Sequence, residues 1–111
     1  MVDDKKTLSG TITFLTSEAF KYHQKGDLKE AKNIYEQILK HKPKHFDALQ
    51  LLGILYGQIN EKDKAIKLLE SALQIKPDDA DAYNNMGIVL QEQSKLEEAI
   101  DAYSKALRVM P

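Results

Sequence analysis

Residues 47–77 read DALQLLGILYGQINEKDKAIKLLESALQIKP and residues 81–111 read DAYNNMGIVLQEQSKLEEAIDAYSKALRVMP. Laid over one another at an offset of 34 residues, they share an opening Asp-Ala, Gly53 with Gly87, Ala65 with Ala99, and Pro77 with Pro111. The same register runs back toward the N-terminus. Pro43 stands 34 residues before Pro77, Ala31 matches Ala65 and Ala99, and Ala19 takes the place of the two glycines. Tyr22, Tyr56 and Leu90 follow that small position by three residues, and Leu15, Leu49 and Tyr83 precede it by four. Each proline closes a similar heptad: QILKHKP, SALQIKP and KALRVMP. A fixed period of this length marks stacked supersecondary units, each too small to bury its own apolar face.

Inside a unit the apolar residues recur at helical spacing. Leu49, Leu52, Gly53 and Tyr56 form one stripe, and Ala65, Leu68, Leu69, Ala72 and Leu73 a second. Polar breaks separate the stripes: Lys25-Gly26-Asp27, residues 59–63 and residues 93–97. Each unit therefore predicts helix, tight turn, helix and a proline turn. The helices are expected near 12–25, 28–41, 46–58, 62–75, 80–92 and 96–109, with residues 1–11 as a leader and repeats at about 12–45, 46–79 and 80–111. Ala19, Gly53 and Gly87 are expected to face Ala31, Ala65 and Ala99, because small residues let two helices approach closely. Tyr22, Tyr35, Tyr56 and Tyr103 are expected to plug the gaps between successive hairpins. Gly26, Asn60 and Ser94 fall where a first helix must end, a place that favours left-handed backbone. Asp78 or Asp79 is expected to cap the fifth helix.

Composition narrows the function. Good helix formers dominate, Trp and Cys are absent, and 30% of residues are charged. Without cysteine there are no disulfides, thiolate metal sites or cysteine nucleophiles. No apolar run approaches the roughly 20 residues needed to cross a bilayer, and the polar N-terminus is unlike a signal peptide, so a cytoplasmic location and no membrane partner are expected. The net charge of −1 conceals a gradient: residues 1–43 balance at +2, residues 44–77 at +1 and residues 78–111 at −4. No basic stripe points to nucleic acid.

Small and aromatic residues in this order over 34 residues, closed by proline, resemble the tetratricopeptide repeat. The third unit is close to the family pattern, with Tyr83 in its tryptophan slot and Leu90 in its tyrosine slot. The second departs at Leu69, where an aromatic is usual. The first departs at Glu18, where leucine is usual, and at Ile38, where a small residue is usual. The resemblance covers roughly residues 12–111 and implies an all-α fold, a right-handed α-solenoid of three antiparallel helix pairs (six helices). It further implies a non-catalytic scaffold whose first helices line a concave groove for a peptide or partner segment.

In such a groove the resemblance places Thr13, Thr16, Ser17, Phe20, His23 and Gln24 from the first unit. The second supplies Asp47, Gln50, Leu51, Ile54 and Gln58, and the third Asp81, Asn84, Asn85, Ile88, Gln91 and Glu92. The peptide-binding set drawn from these is Thr16, Ser17, Phe20, His23, Gln50, Leu51, Ile54, Gln58, Asn84, Asn85, Ile88 and Gln91. Phe20, Leu51, Ile54 and Ile88 form an apolar floor or else pack between neighbouring helices. The amides can donate to and accept from a peptide backbone, or else form a solvated face. Asn85 is similar to the ladder asparagines of protein-glycosylating members, but Leu51 and Ser17 interrupt any ladder. The Lys and Arg with which some co-chaperone members clamp a carboxylate are replaced by Thr16, Phe20, Asp81 and Asn85.

Nothing else suggests chemistry. His41 and His45 are four apart, but Pro43 breaks the helix that would align them, and no thiolate could complete a metal site. Asp78-Asp79 and Glu97-Glu98 are adjacent pairs suited to the first turn of a helix. No catalytic residue, cofactor or metal is expected. The third unit stops at Pro111 without a cap, which is expected to leave Leu90, Ile100, Tyr103 and Leu107 partly uncovered. Either the chain is a piece of a longer protein or it self-associates through that end. The run at 19–55 resembles repeats that precede glycosyltransferase, sulfotransferase or methyltransferase domains in bacterial proteins, so a substrate-recruiting arm of an enzyme is the alternative, and a self-assembling module a third.

Overall fold

The computed structural model describes residues 4–110. It contains α1 (Asp4–Lys25), α2 (Leu28–His41), α3 (Phe46–Gln58), α4 (Lys62–Ile75), α5 (Ala80–Glu92) and α6 (Leu96–Val109), with no strand among the described residues. Residues 1–3 of the expected leader, and Pro111, expected to close the third unit, lie outside the described residues. The helices pack as three hairpins in chain order, in a body 54 × 29 × 21 Å along its principal axes. Helix α1 lies against α3 and α3 against α5, whereas α2, α4 and α6 do not touch one another. The stack thus closes up on its first helices and opens on its second ones, which makes the first-helix side concave.

Two turn chemistries repeat. Within a hairpin, Gly26, Asn60 and Ser94 take positive φ of 85°, 65° and 62°. The next N–H reaches back to the carbonyl of Tyr22, Tyr56 or Leu90 at 2.9, 2.8 and 2.9 Å, which ends each first helix in a Schellman motif. The donor of that bond, Asp27, Glu61 or Lys95, is also the N-cap of the second helix. A hairpin therefore turns in two residues. Between hairpins, the N–H groups of His45 and Asp79 donate to the carbonyls of Lys42 and Lys76 at 3.1 and 3.3 Å. Pro43 and Pro77 sit second in these β-turns, where their locked φ is already correct.

Helix α1 begins eight residues earlier than the expected start near residue 12. Thr7, Ser9, Gly10 and Thr11 are weak helix formers whose hydroxyls compete with the helix for backbone bonds. Here the Thr11 and Thr13 hydroxyls instead donate to the carbonyls of Thr7 and Ser9 one turn back, at 2.9 and 3.0 Å.

The close approach within each hairpin is real, but its partner lies one turn further along than expected. A Cβ on Gly53 would stand 3.1 Å from Leu69 Cγ and 3.4 Å from the Ala65 carbonyl oxygen, and one on Gly87 only 2.7 Å from Tyr103 Cε1. The small residue is therefore matched chiefly to the bulky slot of the second helix. Tyr103 accordingly packs inside its own hairpin. Tyr56 does bridge hairpins, its hydroxyl donating to Glu36 Oε1 of α2 at 3.0 Å. Leu90, expected to be partly uncovered, is buried against Ala99 and Ala102, with Ile66 and Met86 beside it. Tyr35, Ile38, Leu55 and Leu69 are the largest fully enclosed side chains.

Helix α5 is capped by Asp79, which accepts from the Ala82 N–H at 2.9 Å, and α2 by Asp27, over a long 3.4 Å. The residue equivalent to Asp79 one repeat earlier is His45, whose Nδ1 accepts from the Ala48 N–H at 3.1 Å. Only an unprotonated Nδ1 can do this. Burial of the ring pushes the His45 pKa below 6.5; Asp47 opposes the shift and Lys42 adds to it. The unfolded chain thus binds this proton more readily than the folded one, so stability rises with pH across that interval. The contribution is full above about pH 6.5 and fades as pH falls toward the depressed folded value. His45→Asp keeps an acceptor at the cap, and urea midpoints at pH 7 and pH 5 should differ less for it than for the parent chain. An equal pH dependence in both would place the cap's proton elsewhere.

Candidate functional site on the concave face

The first helices present two depressions on the concave side. Between α1 and the start of α3, the lining is Thr13, Thr16, Ser17, Phe20, His45, Asp47 and Leu51. Between α3 and α5, it is Ile54, Gly57, Gln58, Asn60, Lys62, Asn85, Ile88, Val89 and Glu92. Helical period explains the grouping: Thr13, Thr16, Ser17 and Phe20 lie three, one and three residues apart along one face of α1. Leu51 and Ile54 sit on the matching face of α3, and Asn85 and Ile88 on that of α5. Phe20 is 42% exposed and Ile88 43%, while Leu51 and Ile54 are half-buried. Each depression thus has one proud apolar residue and one recessed one.

Between the two depressions lies a polar link. His23 Nε2 is 2.7 Å from Gln58 Oε1, and His23 Nδ1 is 3.2 Å from the Tyr35 hydroxyl. An amide oxygen can only accept, so Nε2 carries the proton and, in the neutral ring, Nδ1 accepts from the tyrosine. Burial pushes the Tyr35 hydroxyl up to about 12, which keeps it a donor throughout the physiological range. The chain α2–α1–α3 ties the first hairpin to the second, and it engages two of the expected site residues in structure. At the far rim, Lys62 Nζ donates to the Gly57 carbonyl at 2.8 Å and to Glu92 Oε2 at 3.2 Å. The ammonium nearest the second depression is therefore already paired.

Of the expected peptide-binding residues, Thr16, Ser17, Phe20 and Leu51 come together in the first depression and Ile54, Gln58, Asn85 and Ile88 in the second. The Thr16 hydroxyl is turned back on the Ile12 carbonyl at 2.7 Å. Gln50 is half-buried in α3, outside the lining of both depressions. Asn84 and Gln91 are elsewhere. Asn84 lies with Ala80, Asp81, Tyr103, Ala106, Leu107 and Met110 at the C-terminal end, and Gln91 Oε1 accepts from the Tyr103 hydroxyl at 2.8 Å. His45, Gly57, Asn60, Lys62 and Val89 join the lining unforeseen. They come from helix ends and turns, where the stripe of a helix face gives no signal. Among the described residues, no group of three His, Cys, Asp or Glu side chains is placed to hold a metal ion, and no helix is long and apolar enough to cross a membrane.

A family model described as tetratricopeptide repeat matches residues 22–86, and a second of the same description matches residues 80–111. No curated protein matches the sequence. Among solved structures, a variant of the O-GlcNAc transferase of Thermobaculum terrenum is 29% identical with a TM-score of 0.92, covering 100% of this chain and 21% of that one. MamA is 26% identical with a TM-score of 0.86, covering 96% of this chain and 64% of that one. The first TPR of Spaghetti bound to an HSP90 peptide is 22% identical with a TM-score of 0.85 and covers 90% of this chain and 79% of that one, a likeness of fold alone. This chain therefore spans about a fifth of the length of the transferase it resembles.

Proposed function

The chain belongs to the tetratricopeptide-repeat family, and we propose that it is a non-catalytic scaffold that holds an extended peptide segment along its concave face. The observation that carries this reading is the pair of apolar depressions between successive first helices, each with a proud residue, Phe20 or Ile88, at 42% and 43% exposure. Large apolar side chains on a concave surface gain most by accepting an apolar side chain from a ligand. Asn85 and the rim residues Asn60 and Gln58 supply amides for the ligand backbone between such anchors. With Lys62 paired to Glu92, a ligand recognised by its terminal carboxylate fits this face poorly, and an internal segment with two spaced apolar residues fits it best. Three hairpins form a shallow cradle, for which micromolar affinity, about −8 kcal/mol, is expected.

The test uses a peptide selected on the intact chain from a random library. Leu51→Glu puts a charge on the floor of the first depression and should weaken binding by about tenfold or more, since each 1.4 kcal/mol is a factor of ten. The thermal midpoint and helical circular dichroism of the variant should stay close to those of the parent. Equal affinity for parent and variant would remove the first depression from the site.

A second reading is favoured by the transferase likeness, which takes in the whole of this chain at 29% identity. In it the same groove recruits substrate for a catalytic domain elsewhere in a longer polypeptide. The coding sequence beyond the codon for Pro111 separates the two readings directly: a transferase domain there supports the recruiting arm, and a stop codon removes it.

A further inference from the structure

The repeat supplies its own standard for what an end face should look like. The second-helix positions that meet the following hairpin carry Leu28, Tyr35 and Leu39 in α2 and Ile66, Leu69 and Leu73 in α4, all buried or half-buried. In α6 the same register carries Leu96, Ile100, Tyr103, Leu107 and Met110. There Leu96 is 59% exposed, Ile100 65%, Leu107 72% and Met110 54%. Their spacing alternates four and three residues, the narrow seam by which one helix packs along another.

The opposite end of the molecule does not match this face. Where α3 and α5 present Leu52 and Leu55, or Met86 and Val89, to the preceding hairpin, α1 carries Glu18 and Lys21, joined to each other at 3.1 Å. Where α3 and α5 bring the fully buried Ala48 and Ala82 into close approach, α1 carries Phe14, 63% exposed and too bulky to enter as they do. A second copy therefore cannot add its N-terminal hairpin to α6 in the way α3 adds to α2.

The C-terminal face does complement itself. Helix α6 is acidic in its first turn, at Glu97 and Glu98, and basic in its last, at Arg108. Two such helices laid antiparallel about a twofold axis near Tyr103 bring Leu96 against Met110, Ile100 against Leu107, and Glu97 of one copy beside Arg108 of the other. Asp101 and Lys105, between them, are already paired within the helix at 3.1 Å. We propose that this chain forms a closed, twofold dimer through the exposed α6 seam, leaving both concave grooves free. The interface is isologous, so assembly stops at two.

Sedimentation equilibrium of the 111-residue chain from micromolar to millimolar concentration tests this. The expected result is a monomer–dimer equilibrium with no larger species. Ile100→Glu, at a position exposed enough to leave the fold intact, should raise the dimer dissociation constant about tenfold or more. Arg108→Glu should weaken the dimer, and adding Glu97→Arg to it should restore affinity. Leu51→Glu should leave the equilibrium unchanged, so failure of the dimer and failure of the groove are read separately. The proposal is overturned by a chain that stays monomeric throughout, by species that grow past two, by insensitivity to Ile100→Glu, or by a charge reversal that the second substitution does not repair.

Discussion

Tyr35→Ala is expected to destabilise the chain by about 3–5 kcal/mol, the usual cost of emptying a large buried aromatic site. Tyr35 is fully enclosed in the core, where it meets α1, and its ring stands edge-on to His23 with centroids 5.9 Å apart. Removing it opens a cavity at the joint of the first two hairpins and leaves His23 held only by Gln58. A domain of this size is stable by about 5–15 kcal/mol, so the variant should be strongly weakened or unfolded at room temperature. Tyr35→Phe separates the two parts of the effect. It keeps the packing and removes only the hydrogen bond to His23, a loss of about 0.5–1.5 kcal/mol. Urea unfolding followed by circular dichroism measures both. Similar losses for the two variants would mean that the hydroxyl, rather than the ring, holds the joint.

Ala65→Leu is expected to destabilise by about 1–3 kcal/mol through overpacking. Ala65 is fully buried, and its carbonyl oxygen lies 3.4 Å from where a Cβ on Gly53 would stand. The added methylenes have no void to enter, because Leu69 already fills the space opposite Gly53 at 3.1 Å. The helices α3 and α4 must then move apart, which tilts the α3 side of both concave depressions. A lowered urea midpoint with an unchanged slope is the expected signature. An unchanged midpoint would show that the two helices are not in close contact.

Both substitutions act on positions that the sequence alone exposes. The 34-residue register of Ala19, Gly53 and Gly87 with Ala31, Ala65 and Ala99, closed by the prolines, places five of the six helices, because each residue in it has a steric reason for its size. The start of α1 was hidden, since Thr7, Ser9, Gly10 and Thr11 favour turns as readily as helix and only their hydroxyl bonds in the folded chain show otherwise. The cap at His45 was hidden for a related reason: histidine is an uncommon cap, and the repeat showed only that Asp79 stood in its place one unit later. For the groove, period identifies a helix face but not what stands opposite it. Phe20, Leu51, Ile54 and Ile88 fall on the concave side because a neighbouring first helix borders them. Asn84 and Gln91 share their stripe on α5 with Gly87, and that stripe turns toward Tyr103 and the end of the stack.

The most direct test of the account is a map of where a ligand touches the chain. Amide shifts of the labelled protein, followed by NMR during titration with a library-selected peptide, should move first and furthest around Phe20, Leu51, Ile54, Asn85 and Ile88, on α1, α3 and α5. Shifts confined to α2, α4 and α6, or to the seam of Leu96, Ile100 and Leu107, would contradict a peptide held on the concave face.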